Sequence, residues 1–159
     1  MSNNFYAEAK KREDALAEFL KEIVSIPSTS SKEGDVVKYM AKAMEQLGYD
    51  EVKIDGMGNL LGRIGNGPRV IAFDGHCDTV DIGDISLWNK CKPYPAVIDK
   101  AAGKIYGRGC TDQKGGVASS IYGVAMLKQL GLVPANLTVW VHVLEEVTSS
   151  ESGRPDAPS

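Results

Sequence analysis

The sequence lacks any long apolar run; its longest are of strand length, too short for a membrane-spanning helix. Its N-terminus, Met1-Ser2-Asn3-Asn4 followed by the charged Lys10-Lys11-Arg12-Glu13-Asp14, lacks the apolar stretch of a secretory signal. It lacks a basic cluster, since 18 Lys+Arg stand against 21 Asp+Glu for a net charge of −3, which argues against a nucleic-acid partner. It lacks paired cysteines: Cys77, Cys91 and Cys110 are odd in number and scattered, which fits reduced thiols in cytosol better than a disulfide framework. There is no internal repeat, and nothing cradles a phosphate. The expectation is a cytoplasmic protein, neither membrane-bound nor nucleic-acid-binding, whose 159 residues make one domain with a sizeable core.

What is present is an alternation of helical and strand patterns. Residues Phe5 to Ile26 read as one helix, with Leu16, Phe19, Leu20 and Ile23 on one face and Pro27 ending it. Ser30-Ser31-Lys32-Glu33 matches a capping box ahead of a second helix carrying Val37, Met40, Met44 and Leu47, with Gly48 as its stop. Glu51 to Ile54, Leu60 to Ile64 and Arg69 to Asp74 read as three strands in hairpin succession, joined by turns at 55–59 and 65–68. Residues 81–95 read as a surface loop, and 98–106 as a small hairpin. A glycine-rich loop, Gly107 to Gly116, precedes a helix over 117–130. Leu137 to Leu144 is apolar on both faces, the pattern of a central strand covered twice. His142, inside that run, reads as a buried structural histidine. The tail from Val147 to Ser159 is Ser/Pro-rich and is expected not to fold.

The chemistry gathers at strand ends. In Val70-Ile71-Ala72-Phe73-Asp74-Gly75-His76-Cys77-Asp78, a short apolar run delivers His76 and Asp78 two residues apart, on one side of an extended backbone. The run reads as a buried strand. The strands ending at Asp74 and Leu144 are separated by a loop and one long helix, the length a parallel crossover needs. If they are parallel neighbours, His76, Asp78, Glu145 and Glu146 share the carboxyl edge where open α/β sheets bind ligands, and Asp112 enters from the glycine-rich loop. One imidazole among carboxylates suits Zn²⁺, with Mn²⁺ or Co²⁺ as substitutes. Each element alone has an ordinary explanation: a salt-bridged turn for His-x-Asp, a turn residue for Asp112, solvated charge for Glu145-Glu146. Their order, each after its proper element, points to a metal site. Cys77 and Cys110 adjoin the candidate ligands but lack the paired spacing of structural zinc sites.

Gly75-His76-Cys77-Asp78-Thr79-Val80, Tyr106 to Gly116 and Glu145-Glu146 resemble the three N-terminal motifs of the M20 metallopeptidases. That family includes acetylornithine deacetylase, succinyl-diaminopimelate desuccinylase, aminoacylases and carboxypeptidases. Asp112-Gln113-Lys114-Gly115-Gly116, with Trp88 and Lys104-Ile105-Tyr106 before it, is most similar to the selenium-metabolism-linked hydrolase branch. The resemblance implies an α/β, three-layer zinc-exopeptidase-like fold, a mixed sheet flanked by helices. It implies that His76 binds one zinc, Asp112 bridges two, Glu146 binds the second, Asp78 orients His76, and Glu145 is the general base. The reaction implied is hydrolysis of an amide or peptide C–N bond, in an N-acyl amino acid or short peptide, by metal-activated water.

After Glu146 the family's pattern continues toward further ligands and an inserted lid or dimerisation domain, whereas this sequence turns into the Ser/Pro-rich tail. The expectation is therefore a catalytic domain over 1–146, truncated or frame-shifted within itself, and a disordered tail over 147–159. Homodimerisation is expected only of a full-length form. The alternative function is a catalytically inactive fragment. A regulatory module that merely holds a metal, or a His-x-Asp phosphatase, has no positive signal.

Overall fold

Stripes of apolar side chains at helical spacing become the helices that build the core. The computed structural model, which describes residues 5–133 and 135–145, forms α1 at Phe5–Lys10, α2 at Glu13–Ser25 and α3 at Gly34–Gln46. The single helix predicted over 5–26 is broken at Lys11–Arg12, inside the all-charged run, where no apolar side chain ties one turn to the next. Arg12 turns back there to donate to the Glu8 carbonyl at 2.6 Å and reaches across to Gln129 at 3.0 Å. Pro27 follows α2, whose last cap residue, Ile26, is already extended. The predicted capping box does not form, because neither Ser30 nor Glu33 caps α3 with its side chain.

The strands are β1 (Glu51–Ile54), β2 (Leu60–Ile64), β3 (Val70–His76), the short pair β4 (Val97–Asp99) and β5 (Lys104–Tyr106), and β6 (Asn136–His142), with α4 (Gly115–Gln129) before the last. β1 and β2 form the expected hairpin, and so do β4 and β5. β2 and β3, however, are not hairpin partners. The main sheet runs β1-β2-β6-β3, so β6 is inserted between them, antiparallel to β2 and parallel to β3. The glycines read as a hairpin turn make room for that insertion. A Cβ on Gly65 would collide with the Ala135 carbonyl oxygen, and one on Gly67 would lie 3.3 Å from the Ala135 Cα. The Asn136 amide then donates to the Arg69 carbonyl at 2.8 Å, which starts the parallel ladder.

The helices pack on one face of this mixed sheet, where Leu60, Leu137, Val139 and Val141 meet Ile23, Met40, Met44, Val117, Ile121 and Val124. β6 is central, as expected. Among the described residues, though, only this face of it is covered, and Trp140 on the other is 38% exposed. β3 is an edge strand rather than a buried one: Val70, Ile71 and Phe73 are exposed. His142 lies on the uncovered face and is half-buried, with Nε2 2.6 Å from Asp74 Oδ1 and its ring stacked on Trp140. It is not the buried histidine the apolar pattern suggested, because alternation sends it to the side opposite Val141. No helix among the described residues is long and apolar enough to cross a membrane.

Ile121 is the best single probe of this packing. Its side chain is fully buried, and its carbonyl accepts the Tyr49 hydroxyl at 2.9 Å. Ile121→Ala is expected to lower stability by about 2–5 kcal/mol in urea unfolding, the usual cost of truncating a buried aliphatic side chain.

Candidate metal centre

Parallel pairing carries β3 and β6 side by side to His76↔His142, and the Cys77 amide extends the ladder by donating to the His142 carbonyl at 3.0 Å. Past this point the chain alternates. Cys77 is buried in the core, while His76 and Asp78 turn to the opposite side. His76 Nδ1 lies 3.1 Å from the Asp78 carbonyl oxygen and 3.3 Å from Asp78 Oδ1. Its other ring nitrogen, Nε2, lies 3.1 Å from Asp112 Oδ1. Asp78 is completely buried, whereas the Asp112 side chain is 72% exposed. Three of the predicted site residues therefore meet in one place.

Asp112 is held there by glycines. The segment Cys110–Lys114 is a wide turn that enters α4, with a cis peptide between Asp112 and Gln113. Gly109 has φ of +85°, and a Cβ on it would come within 2.7 Å of the Thr79 methyl. A Cβ on Gly115 would strike the Cys110 carbonyl oxygen at 2.5 Å. At the end of the same turn Lys114 is fully buried and donates to the carbonyls of Ile23 and Ile26, at 2.8 and 2.9 Å, at the C-terminus of α2. Burial pulls its pKa down to about 8, yet two carbonyl acceptors favour the ammonium, which is the form present at neutral pH.

Glu145 stands three residues beyond β6, exposed, and among the described residues its carboxylate makes no ion pair with His76 or a basic side chain. Glu146 and the tail lie outside the described residues. Among the described residues, no group of three His, Cys, Asp or Glu stands ready to hold a metal ion.

The family model of peptidase family M20/M25/M40 matches residues 72–156, more than half of the chain. The chain belongs to this family. The M20 chain is 46% identical over 125 residues to the uncharacterized protein YgeY of Escherichia coli (strain K12), a match covering 78% of this chain and 30% of YgeY. It is 38% identical over 113 residues to a probable succinyl-diaminopimelate desuccinylase of Staphylococcus epidermidis, covering 69% of this chain and 27% of that protein. Human carnosine dipeptidase 1 superposes with a TM-score of 0.74 at 26% identity, over 88% of this chain and 34% of the other. The M20 chain thus spans about a third of the length of the proteins it matches.

Four residues around this cluster and the end of β6 were not read from the sequence as belonging to a site. Ser28 Oγ donates to the Cys77 carbonyl at 2.7 Å, and Ser30 Oγ donates to Asp78 Oδ2 at 2.9 Å. Glu33, buried, accepts the Leu144 amide at 3.1 Å, and Asn59 Oδ1 accepts the Val143 amide at 3.1 Å. For Ser30 and Glu33 the sequence signal was the Ser/Glu spacing that resembles a helix cap, and for Asn59 its place in a turn.

Two of the cysteines adjoin the candidate ligands. Burial pushes the Cys77 thiol up to about 12 and the Cys110 thiol up to about 11, so neither supplies a thiolate at neutral pH. Iodoacetamide at pH 8, followed by mass spectrometry, is expected to label Cys91, which is partly exposed, and to leave Cys77 unmodified until the chain unfolds.

Proposed function

We propose that this chain carries the N-terminal share of a zinc-dependent centre that hydrolyses amide or peptide C–N bonds in N-acyl amino acids or short peptides. The observation that carries the reading is His76 Nε2 facing Asp112 Oδ1 at 3.1 Å while Nδ1 is backed by Asp78. Two ligand atoms on tetrahedral zinc, each at about 2.0–2.1 Å, stand about 3.3 Å apart. The observed pair differs from that by a few tenths of an ångström, and a neutral imidazole with a carboxylate is a donor set Zn²⁺ accepts, as do Co²⁺ and Mn²⁺. His76, Asp112 and Glu146 would hold the metal. When bound, it supplies Lewis acidity toward the substrate carbonyl and acidifies water.

The chain's own residues do the rest. Asp78, with its carbonyl oxygen 3.1 Å and its Oδ1 3.3 Å from His76 Nδ1, holds the proton on that nitrogen and leaves the Nε2 lone pair for the ion that His76 and Asp112 would hold. Glu145, exposed and with no basic partner among the described residues, receives a proton from the attacking water and returns it to the leaving nitrogen. The substrate is a small molecule, and cytosol, with its reduced thiols, is the compartment that suits the free cysteines.

A second reading is favoured by the same geometry. Two described donors are fewer than the four that a closed zinc site uses, so a chain that takes up metal without turnover is the alternative. Zinc titration of the purified chain is expected to show binding that His76→Ala and Asp112→Ala each weaken by about tenfold or more. Preparations that cleave N-acyl amino acids or dipeptides are expected to lose about 10²–10⁴ in kcat on Glu145→Gln, with zinc uptake unchanged. Turnover retained in that variant would remove Glu145 from its role. Zinc uptake with no cleavage by the unmodified chain would select the second reading.

A further inference from the structure

The connector between α2 and α3, residues 26–33, touches the His76–Thr79 segment, the Asp112 turn and Leu144, the residue before Glu145. At its start the Ile26 carbonyl, with that of Ile23, accepts the Lys114 ammonium from the Asp112 turn. In its middle the Ser28 carbonyl accepts the Thr79 amide at 2.9 Å, Thr29 bridges Thr79 in parallel, and Ser30 Oγ donates to Asp78 Oδ2. At its end Glu33 Oε1 accepts the Ser31 amide at 2.9 Å and the Leu144 amide at 3.1 Å.

Glu33 has a further distinction. Among the described residues, the non-glycine positions with positive φ are Ser31 (70°) and Leu144 (62°), and the amides of both donate to the same Glu33 oxygen. A bulky residue such as leucine in the left-handed region is a true outlier, and such strain persists only where the surroundings over-determine it. A buried carboxylate, which can only accept hydrogen bonds, fixes both bends at once. The second bend comes immediately before Glu145.

We propose that Ser30 and Glu33 are positioning residues of the hydrolytic site: Ser30 fixes the Asp78 carboxylate that orients His76, and Glu33 fixes the backbone that presents Glu145. The functional meaning of this rests on the metal-centre reading above. The physical content does not. The terminal torsion of an aspartate is broad, so its carboxylate needs a second donor to be held in one plane. Ser30 is that donor on Oδ2, and it leaves Oδ1 toward His76 Nδ1. Residues whose types and spacing suit a helix cap are diverted from their own helix to the site, the kind of local exception that marks function.

Four variants of the whole chain test it: Ser30→Ala, Ser30→Thr, Glu33→Ala and Glu33→Gln. NMR of the metal-free chain is expected to show altered His76 ring nitrogen signals in Ser30→Ala and wild-type-like signals in Ser30→Thr, which keeps the hydroxyl. Glu33→Ala is expected to speed exchange of the Leu144 amide by about tenfold, without changing the Val139 and Val141 amides, and Glu33→Gln to restore it. Loss of fold alone would accelerate all three amides together. Zinc affinity is expected to fall about 10–100-fold in Ser30→Ala, the usual cost of removing a partner behind a ligand. Unchanged His76 signals in Ser30→Ala, or unchanged Leu144 exchange in Glu33→Ala, would overturn the proposal. Absence of zinc binding by the unmodified chain, with both NMR effects present, would overturn the metal reading and leave the positioning role standing.

Discussion

The parallel pairing of β3 with β6 is the interaction on which the rest depends. Its register runs unbroken from Val70↔Asn136 to His76↔His142 and brings two strands, more than sixty residues apart in sequence, to a common carboxyl edge. A right-handed return to a parallel neighbour needs a crossover, and α4 supplies it. Because α4 runs antiparallel to the strands it joins, its N-terminus lies at that same edge, and the wide turn preceding it brings Asp112 to His76. One pairing thus brings three separate stretches of chain together. A slip of one residue would turn Leu137, Val139 and Val141 out of the core, so the core that stabilises the fold also fixes the site's register.

Within that frame, alternation does the local work. Cys77 is sunk in the core between two residues that are not, so its burial anchors His76 and Asp78 on the opposite side. The 26–33 connector then ties down this stretch through Cys77, Asp78 and Thr79. It lies at the end of a helix that Pro27 stops and at the start of one that its own side chains decline to cap.

Elements whose information is local were legible in the sequence: the helical stripes of α2, α3 and α4, the β1–β2 hairpin, and the run that becomes β6. The parallel relation of β3 and β6 was legible too, because crossover length is a local count. What was not legible depended on non-local partners. Gly65 and Gly67 read as a hairpin turn, yet the approaching backbone at Ala135 is what needs their missing side chains. His142 read as core because its neighbours are apolar, although its partner across the sheet, Asp74, is a charge on an uncovered face. Ser30 and Glu33 read as a cap, since nothing in their own neighbourhood reveals Asp78 or Leu144. His76, Asp78 and Asp112 were found by motif and met as expected, Glu145 follows β6 at the same edge, and Glu146 falls outside the described residues.

The gradient of burial across the site bears on its chemistry. An isolated carboxylate as deeply buried as Asp78 costs several kcal/mol unless it is paired and hydrogen-bonded, and here the Ser30 hydroxyl donates to Oδ2 while His76 Nδ1 lies 3.3 Å from Oδ1. That arrangement is rigid by construction, which is what an orienting group needs. Asp112 and Glu145 are exposed, so each can change partners without leaving water. Under the zinc reading this division is functional: the part that sets direction is locked in the interior, and the parts that bridge a cation or carry a proton stay in water. A site whose carboxylates were all buried would oppose loading by desolvation, and one whose carboxylates were all exposed would lose the orientation of its single imidazole. The mixed arrangement avoids both penalties, and the connector that holds Asp78 on one side and Leu144 on the other lies on the boundary between the two environments.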